Sequence, residues 1–390
     1  MNRREVKRAP VLRFKGFTND WEQRKLKNLV DFYSGLTYHP ENIREKGTFV
    51  IRSSNIKDGQ LVTGDNIFVA PEIVNSTYVK KDDIIVVVRN GSRKLIGKHT
   101  KLNFNLNNAV IGAFMTGIRS NNNNFINAIF DSDNFKREIH KNLGATINQI
   151  TTGELKRMNF YIPSLTSEQN YLGNLMKVLD KLITLQQRKL KLLKEIRKGI
   201  VENIRDNNFE YKEQKNDFKD VKIKDMFKIT RGKVLPKEKI SSNKISPNIY
   251  PVFSSQTLNN GLLGFYKDYL FQNAITWTTD GANAGTVNFR NEKFYSTNVN
   301  GVLLQKKIKP DLLTADLLNL VAFKYVSKVG NPKLMNNTMA NIRIKIPSNT
   351  NARIFYSKIL NKYDTKIDFI NKKIDYLTTF KRFLLQNMFI

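Results

Sequence analysis

The sequence SLTSEQNYLGNLMKVLDKLITLQQRKLKLLKEIRKGIVENI occupies residues 164–204 and has the pattern of a single long helix. Four leucines recur at alternating steps of three and four residues, which places them on one face of a helix. They are Leu172, Leu175, Leu179 and Leu182. Leucines and isoleucines continue this apolar face as far as Ile204, and no proline interrupts it. With a rise of about 1.5 Å per residue, the helix would be roughly 60 Å long, which is more than one small domain needs.

The same apolar pattern returns at residues 348–390, which lie 184 positions further along the chain. The triplet Ile-Pro-Ser precedes both copies, at residues 162–164 and 346–348. A similar short opening segment also occurs twice, at residues 21–32 and 218–229. The chain is therefore predicted to be an internal duplication, in which each copy consists of an opening segment, a body and a long helix.

The two bodies between these repeated parts scarcely resemble each other in sequence. Both contain short runs of β-branched residues bounded by Gly, Asn and Asp, which predict strands. The predicted strands cover residues 48–52, 83–89 and 109–116 in the first body and 250–253, 274–278, 286–289 and 301–305 in the second. Each body has one helical stretch near its end, predicted at residues 125–140 and 315–329.

The order of these elements predicts a mixed α/β (α+β) fold with a pseudo-two-fold internal repeat. If the two long helices pack along their apolar faces, they must run antiparallel as a two-helix coiled coil, with one body at each end. The predicted domains are an N-terminal body at residues 1–163, a first long helix at 164–206, a linker and second body at 207–347, and a second long helix at 348–390.

The chain is strongly basic, because 65 Lys and Arg residues against 34 Asp and Glu give a formal net charge of +31. The excess is spread along the sequence and is not gathered in a tail. A polyanionic partner explains a charge of this size, and nucleic acid is the most common such partner. The chain has no cysteine and no apolar run long enough to span a membrane, so we expect a cytoplasmic protein without disulfides or membrane attachment.

The sequence contains no recognisable set of catalytic residues. The phosphate-binding loop G-x-x-x-x-G-K-[ST] does not occur, and the three histidines are scattered without any cysteine. Residues 331–334 read Asn-Pro-Lys-Leu and depart at two positions from the N-P-P-[FYW] loop of amino-methyltransferases. Asp82 and Asp83 are better explained by a turn before a strand than by a nuclease site. We therefore predict no catalytic residue, no cofactor and no metal ion.

Basic and amide-rich turns at strand ends are the candidates for contact with nucleic acid. Arg and Asn side chains match the edges of guanine and adenine with paired hydrogen bonds, although such turns also occur as ordinary loops that meet phosphate or solvent. In the first body the candidates are Arg52, Ser53, Ser54, Asn55, Lys57, Arg89, Asn90, Ser92, Arg93 and Lys94. In the second body they are Ser254, Ser255, Gln256, Thr257, Thr278, Thr279 and Asn283.

The second long helix carries more aromatic residues than two packed helices require. Tyr356, Phe380 and Phe383 are therefore candidates for contact with a further protein, and a role in the coiled-coil core is the alternative for such rings. The basic residues of the first long helix, among them Arg197, are expected to form a solvated face.

Several motifs together resemble the DNA specificity subunit of type I restriction–modification systems. They are Val11-Leu12-Arg13-Phe14 with Gly16-Phe17 and Trp21, the Ile-Pro-Ser corner followed by Glu168-Gln169, the turn Gly281-Ala282-Asn283-Ala284-Gly285, and the duplicated arrangement of body and helix. The resemblance covers essentially the whole chain.

This resemblance implies that each body is a target recognition domain, which reads one half of an asymmetric bipartite site in double-stranded DNA. It also implies that the long helices set the spacing between the halves and bind two methyltransferase subunits, with Glu168 and Gln169 as candidate contacts. Restriction subunits would join the larger complex. The second helix begins Ser348-Asn349-Thr350-Asn351 without the Glu-Gln pair, so this contact is not expected to be repeated.

Two other classes of function remain open from the sequence. A stand-alone, two-headed DNA-binding regulator would explain the charge and the duplication, but not the aromatic residues of the second helix. A self-sufficient nuclease or methyltransferase would need an acidic metal site or a cofactor loop. The sequence therefore favours a non-catalytic specificity subunit that directs adenine methylation and restriction by its partners.

Overall fold

The computed structural model describes residues 8–57, 59–144, 148–209, 217–255 and 258–390. Contacts between residues divide the chain into two units. The first unit comprises Met1–Gln186 and Lys373–Ile390, and the second comprises Gln187–Lys372. Each unit therefore contains one body and a part of both long helices.

The first unit is built around two small sheets. Its strands are β1 (Glu22–Lys25), β2 (Asp31–Ser34), β3 (Ile43–Arg44), β4 (Thr48–Ile51), β5 (Ile56–Lys57), β6 (Gln60–Leu61), β7 (Ile67–Val69), β8 (Ile84–Val87), β9 (His99–Lys101), β10 (Ala109–Ile111), β11 (Met115–Arg119) and β12 (Asn159–Ile162). One sheet has the order β10-β4-β7-β3 and the other the order β2-β11-β8-β9, while β1 pairs with β12 and β5 with β6.

The helices of this unit cover the second sheet and form its main core. They are α1 (Asn123–Asp131), α2 (Asp133–Asn142), α3 (Thr152–Arg157) and the first part of α4 (Thr166–Arg205), together with the end of the second long helix. Phe125, Phe130 and Phe135 are buried in this core together with Leu172 of α4. Gly173 permits the close approach of α4 to α1, because a Cβ atom at this position would lie 2.6 Å from the backbone nitrogen of Phe125.

The second unit has one continuous sheet with the order β14-β19-β17-β18-β15-β16, and a separate pair of β13 and β20. Its strands are β13 (Phe218–Lys222), β14 (Phe227–Arg231), β15 (Tyr250–Phe253), β16 (Leu262–Tyr266), β17 (Phe271–Thr278), β18 (Val287–Ser296), β19 (Asn300–Gln305) and β20 (Arg343–Pro347). Its helices are α5 (Ile223–Met226), α6 (Leu312–Ala322), α7 (Asn336–Asn341), the last part of α4 and the first part of α8 (Thr350–Met388).

The parts of the two units that repeat in sequence also repeat in structure. In the first unit β1 pairs antiparallel with β12, the strand that leads into α4. In the second unit β13 pairs antiparallel with β20, the strand that leads into α8. The sheets of the bodies differ, since the first body has two four-stranded sheets and the second body has one six-stranded sheet. The prediction of a shared scaffold with divergent bodies is thereby confirmed.

Two predicted elements of the first body are interrupted. The predicted strand at residues 109–116 is divided into β10 and β11 by a turn, in which Met115 N–H donates to the carbonyl of Gly112. The predicted helix at residues 125–140 is divided at Ser132. The hydroxyl of Ser132 donates to the carbonyl of Ile129 (2.6 Å) and so closes α1, and it accepts from the N–H of Phe135 (3.5 Å) at the start of α2.

The long helices α4 and α8 pack on each other within each unit. In the first unit the start of α4 and the end of α8 share a core that includes Leu179 and Leu384. In the second unit the end of α4 and the start of α8 share a core that includes Ile204 and Tyr356. These contacts are those of antiparallel helices. Leu182, which the apolar pattern places on the packed face, is exposed. No described helix is long and apolar enough to cross a membrane.

An ion cluster ties both long helices to the body in the first unit. Lys381 of α8 lies with its Nζ 2.5 Å from Asp180 Oδ1 of α4 and 2.7 Å from Asp131 Oδ2 of α1. His99 Nε2 also contacts Asp131 Oδ1, at 3.2 Å. Burial raises the pKa of Asp131, but the hydrogen bond from His99 and the charge of Lys381 outweigh it, so the pKa lies below its ordinary value.

A matching ion cluster occurs in the second unit. Arg197 of α4 lies with its Nε 2.5 Å from Asp364 Oδ1 of α8, and its second guanidinium nitrogen lies 2.8 Å from Asp316 Oδ2 of α6. Burial raises the pKa of Asp316 to about 6, against the charge of Arg197, which lowers it. Arg197 is therefore a part-buried cation that connects three helices, and it is not a member of the solvated face that the sequence predicts.

The two clusters are copies of one another through the duplication. Asp180 and Asp364 are 184 positions apart, and Arg197 and Lys381 are separated by the same 184 positions. In each unit one long helix supplies the cation, the other supplies a carboxylate, and a body helix supplies a second carboxylate. The repeat has kept a cation between two carboxylates in both units, although the bodies have diverged.

The stability of Asp316→Asn relative to wild type is expected to increase as the pH rises. Because the folded-state pKa of Asp316 is raised, the stability linked to its protonated form is fully present below the pKa of an unfolded carboxyl and is lost as the pH rises through about 6. An amide carries no such cost, so the difference in free energy of unfolding between variant and wild type should be about 2–3 kcal/mol larger at about pH 7.5 than at about pH 4.

Urea unfolding of both proteins at the two pH values measures this difference. Asp368→Asn, which changes an exposed carboxyl of α8, is the matched control and should show a much smaller change with pH. A difference between the Asp316 variant and wild type that is the same at both pH values would contradict the assignment.

Candidate nucleic-acid interface

Two candidate segments of the first unit lie against each other. Residues 52–57 follow β4, and residues 89–94 follow β8 in the other sheet. Asn90 Nδ2 donates a hydrogen bond to Ser53 Oγ (2.9 Å), and the N–H of Asn90 donates to the carbonyl of Asn148 (3.2 Å). The two segments therefore form one surface, which we call the first loop cluster.

Arg89 is an exposed cation of the first loop cluster. Its Cζ lies 5.1 Å from the centre of the Phe114 ring, and this ring is itself exposed. Stacking on an aromatic ring uses the flat face of a guanidinium and leaves its edge donors available. Arg89 can therefore bind a phosphate or the edge of a guanine.

The other exposed side chains of the cluster are short hydroxyls and further cations. They belong to Ser54, Lys57, Ser92, Arg93 and Lys94. Arg93 is partly committed to the fold, because its guanidinium donates to the carbonyls of Leu143 (3.4 Å) and Gly144 (3.3 Å). Neither segment contains Asp or Glu, so the cluster offers a polyanion positive charge and hydrogen-bond donors.

Two of the predicted contact residues hold the loop in shape. Asn55 is fully buried; its Oδ1 accepts from the N–H of Arg52 (3.0 Å), and its Nδ2 donates to the carbonyls of Val62 (3.3 Å) and Asp65 (3.4 Å). Arg52 donates to the carbonyl of Asp65 and pairs with its carboxylate, both at 2.8 Å. The prediction of a DNA contact is corrected for Asn55, because it has no accessible surface for a base.

A polar cavity lies at the ends of several strands in the second unit. It has a volume of about 70 Å³ and includes two of the predicted contact residues, Ser254 after β15 and Thr278 at the end of β17. Its other polar walls include Thr276, Asn288, Arg290 and Asn300. We call it the Arg290 cavity.

The remaining predicted residues of the second body are less accessible or lie elsewhere. Thr279 is fully buried and its hydroxyl donates to the carbonyl of Val299 (2.9 Å), so it supports the turn and the prediction of a DNA contact is corrected. Ser255 and Asn283 are half-buried. Gln256 and Thr257 fall outside the described residues.

Two polar residues of the Arg290 cavity, Arg290 and Asn300, were not predicted from the sequence. The predicted strand stopped at Phe289, whereas β18 continues to Ser296 and carries Arg290 within it. The sequence does contain a strand pattern at this place, because Asn288 and Arg290 alternate with the apolar residues Val287 and Phe289. Such alternation is typical of the two faces of a strand.

Glu168 is a structural residue of the first unit. Its carboxylate accepts two hydrogen bonds from Arg13, at 2.6 Å and 2.8 Å, and one from Trp21 Nε1 at 3.4 Å. The side chain is only 1% exposed, and its hydrogen bond raises the pKa of Arg13. The motif residues Arg13, Trp21 and Glu168 thus form one buried cluster, and the prediction that Glu168 contacts a partner is corrected.

The other predicted partner-binding residues divide into buried and exposed ones. Tyr356 is fully buried and its hydroxyl donates to the carbonyl of Phe209 (3.2 Å), so a partner has no access to it. Gln169 donates to the carbonyl of Pro163 (2.9 Å). Phe380 and Phe383 are 39% and 49% exposed.

Tyr376 joins Phe380 and Phe383 on one face of α8. It is 68% exposed, and its ring lies parallel to that of Phe380, with 6.2 Å between the ring centres and 3° between the planes. We call these three residues the α8 aromatic face. The described residues include no group of three His, Cys, Asp or Glu side chains that could hold a metal ion.

Comparison with known proteins gives a consistent set of relatives. The sequence model of the type I restriction modification DNA specificity domain matches residues 18–195 and 215–379. The chain is 45% identical over 134 residues to the N-terminus of a putative type I specificity subunit of Mycoplasma pneumoniae (S.MpnORF289P), a match that covers 33% of this chain and 70% of that protein. It is 40% identical over 134 residues to the specificity subunit of the type I restriction enzyme MpnII from the same organism, covering 33% of this chain and 39% of that protein.

The fold is similar to the crystal structure of a type-I restriction-modification system S subunit from M. genitalium. The TM-score is 0.71 at 16% sequence identity, and the match covers 98% of this chain and 99% of that chain. At this level of identity the likeness concerns the fold.

Proposed function

The chain belongs to the family of type I restriction modification DNA specificity proteins, whose domain matches both of its halves, and on this basis we propose that it supplies the DNA sequence specificity of a type I complex. The two bodies are then target recognition domains, within residues 1–163 and 207–347, and the long helices at 164–206 and 348–390 are their spacers. The observation that carries this proposal is the occurrence of one family domain twice, on a shared scaffold with unlike bodies.

Unlike bodies predict an asymmetric bipartite site with two different half-sites and an unread gap. The first loop cluster supports this proposal, because it joins two acid-free segments and presents the exposed cation Arg89 on an aromatic ring. The net charge of +31 is spread along the chain, and it favours binding to double-stranded DNA. The relatives are specificity subunits, so we do not retain a stand-alone regulator.

The chemistry of adenine methylation and of restriction would come from partner subunits. The α8 aromatic face is the proposed docking site for a methyltransferase subunit, since exposed stacked aromatic rings are typical anchors of protein interfaces. Leu192 and Ile196 of α4 lie 184 positions before Tyr376 and Phe380, and both are exposed as well. This repetition supports two docked methyltransferase subunits, with restriction subunits added in the full complex.

Arg89→Ala is expected to weaken the reading of one half-site and to leave the other readable. Loss of a bidentate contact with a base costs about 1–3 kcal/mol, so binding to the full site should fall about 5- to 150-fold. Binding to duplexes in which only one half-site is altered shows which half-site depends on Arg89. The matched control is Arg24→Ala, which removes an exposed arginine of β1 that pairs only with neighbouring Glu22 in the described structure. Equal losses on all duplexes would show that Arg89 contacts phosphate alone.

The test of the proposed function is selection from random duplexes by the chain in complex with a type I methyltransferase subunit. The expected result is a motif of two unlike short half-sites separated by a gap of fixed length. A continuous or palindromic motif would contradict the assignment of one half-site to each body.

A further inference from the structure

Arg290 differs from the other part-buried arginines of the described chain. Each of those has a carboxylate partner: Arg13 with Glu168, Arg52 with Asp65, Arg119 with Asp83, Arg197 with Asp364 and Asp316, and Arg353 with Asp311. Arg290 is only 8% exposed, yet no described carboxylate lies within ion-pair distance of it. A buried charge without a counter-charge is costly, because burial removes its hydration.

The surroundings of Arg290 satisfy only part of its guanidinium. The Cζ lies 3.6 Å from the centre of the Phe253 ring, and one terminal nitrogen donates to the carbonyl of Asn260. The buried Nε has no hydrogen-bond partner among the described residues. Burial lowers the pKa of Arg290 to about 10, and the charge of Glu292, which raises it, offsets only part of this effect.

The walls of the Arg290 cavity have the chemistry of an anion site. Thr276 and Thr278 alternate along β17, and Asn288 and Arg290 alternate along β18, so all four project from the same face of the sheet. Asn300 also lines the cavity, and its buried Oδ1 has no described partner; an amide can turn either its oxygen or its nitrogen toward a ligand. A guanidinium with hydroxyls and amides, and no carboxylate in the wall, is a set of groups that binds an oxyanion.

We propose that the Arg290 cavity is an oxyanion site, which receives a backbone phosphate of DNA bound to the second body. The volume of about 70 Å³ accommodates several waters or one phosphate group. The cavity also includes Ser254 and Thr278, at the strand ends where the sequence predicts DNA contact. The identity of the anion as a DNA phosphate rests on the proposed function, whereas the oxyanion site itself does not.

This inference gives Arg290 a positioning role toward DNA. A phosphate contact fixes the orientation of the duplex and carries no base information by itself. A buried guanidinium in a small cavity binds a phosphate at one position only. This contact would hold the second body in register with its half-site. Free phosphate shares the same chemistry and should occupy the cavity when DNA is absent.

The first test uses the full chain without DNA. Thermal unfolding is followed with increasing inorganic phosphate, against chloride at equal ionic strength. The wild-type Tm should rise by about 2–4 °C at ten times the dissociation constant, and should keep rising with the logarithm of the phosphate concentration above it. Arg290→Met should lose this rise, and in chloride it should be at least as stable as wild type, because it removes an uncompensated buried charge.

Two further variants make the test specific. Lys293→Met removes an exposed cation of the same strand, which stacks on Tyr269, and it should keep the response to phosphate. Arg290→Lys keeps the charge without the planar donors and should keep part of the response. An equal response of wild type and Arg290→Met would overturn the oxyanion site. A large loss of stability of Arg290→Met in chloride, with its phosphate response intact, would show a purely structural arginine.

The second test measures DNA binding by the complex with its methyltransferase subunit. Arg290→Met should weaken binding about tenfold, as expected for loss of a hydrogen bond to a charged group. The loss should be equal on the full site and on duplexes with either half-site altered. The slope of log K against log salt should become less negative by about 0.9 for one lost phosphate.

The two tests separate the inference from the proposed function. If phosphate stabilises the chain through Arg290 but no DNA sequence is selected, the oxyanion site stands and the proposed function fails. If a bipartite site is read and neither the phosphate response nor the salt slope depends on Arg290, the inference is wrong and the function stands.

Discussion

Phe380→Ser and Phe383→Ser together are expected to abolish methylation at every recognition site while the protein still binds its DNA sequence. Both rings are exposed on α8 and belong to the α8 aromatic face. Aromatic anchors at the centre of an interface contribute about 2 kcal/mol or more each, so loss of two should detach a methyltransferase subunit. Substitution of exposed residues typically changes stability by less than about 0.5 kcal/mol, so the fold should persist.

Methylation of plasmid DNA and duplex binding in the same preparations measure the two effects separately. Phe104→Ser removes an exposed aromatic residue of the first body and serves as the matched control, with methylation retained. Full methylation by the double variant would exclude the α8 aromatic face as the docking site. Loss of DNA binding together with methylation would indicate damage to the fold instead.

Arg197→Met is expected to destabilise the protein by about 2–3 kcal/mol, because removal of the cation from a part-buried ion cluster leaves its two carboxylates without a partner. Arg197 is the cation between Asp316 and Asp364, and burial already raises the pKa of Asp316. Lys381→Met should have a similar effect in the first unit, where it leaves Asp131 and Asp180 without their shared cation.

A charge-free version of the cluster provides the control. Arg197→Met combined with Asp316→Asn and Asp364→Asn should recover most of the lost stability, because no buried charge remains unpaired. Urea unfolding measures all the variants. If Arg197→Met lowers the free energy of unfolding by less than about 1 kcal/mol, the ion cluster contributes no more than a solvated surface ion pair. The cluster would then not hold the body to the helices.

The long helices and the duplication could be predicted from the sequence, because their signal is local and periodic. A run of apolar residues at helical spacing specifies a helix without knowledge of its neighbours, and α4 and α8 lie within the predicted ranges. The strand β15 was predicted with its observed bounds, Tyr250–Phe253. Elements interrupted by a single cap or turn, such as the helix divided at Ser132, were not.

Contacts between distant residues could not be predicted. Glu168 belongs to a recognisable motif, but its hydrogen-bond partner Arg13 lies 155 residues away. The burial of Glu168 therefore depends on the folded chain. Arg197 looks like one of many basic residues on a helix, and only folding brings Asp316 and Asp364 to it. Long-range ion pairs of this kind leave no spacing signal in one sequence.

The candidate interface was predicted in part. The rule that basic turns at strand ends bind nucleic acid selected residues 52–57 and 89–94, which the structure brings together through Asn90 and Ser53. The rule could not tell an exposed cation from a buried amide, so Asn55 was included. It also overlooked Arg290, which lies inside a strand and not at a turn.

The most direct measurement is the methylome of cells that carry this gene with a type I methyltransferase subunit, compared with the methylome of cells that lack it. Single-molecule sequencing reads every methylated adenine in the genome. The expected result is one new methyl-adenine motif with two unlike halves and a gap of fixed length. A new motif that is continuous, or whose halves are identical, would contradict the central claim that two unlike bodies each read one half of the site.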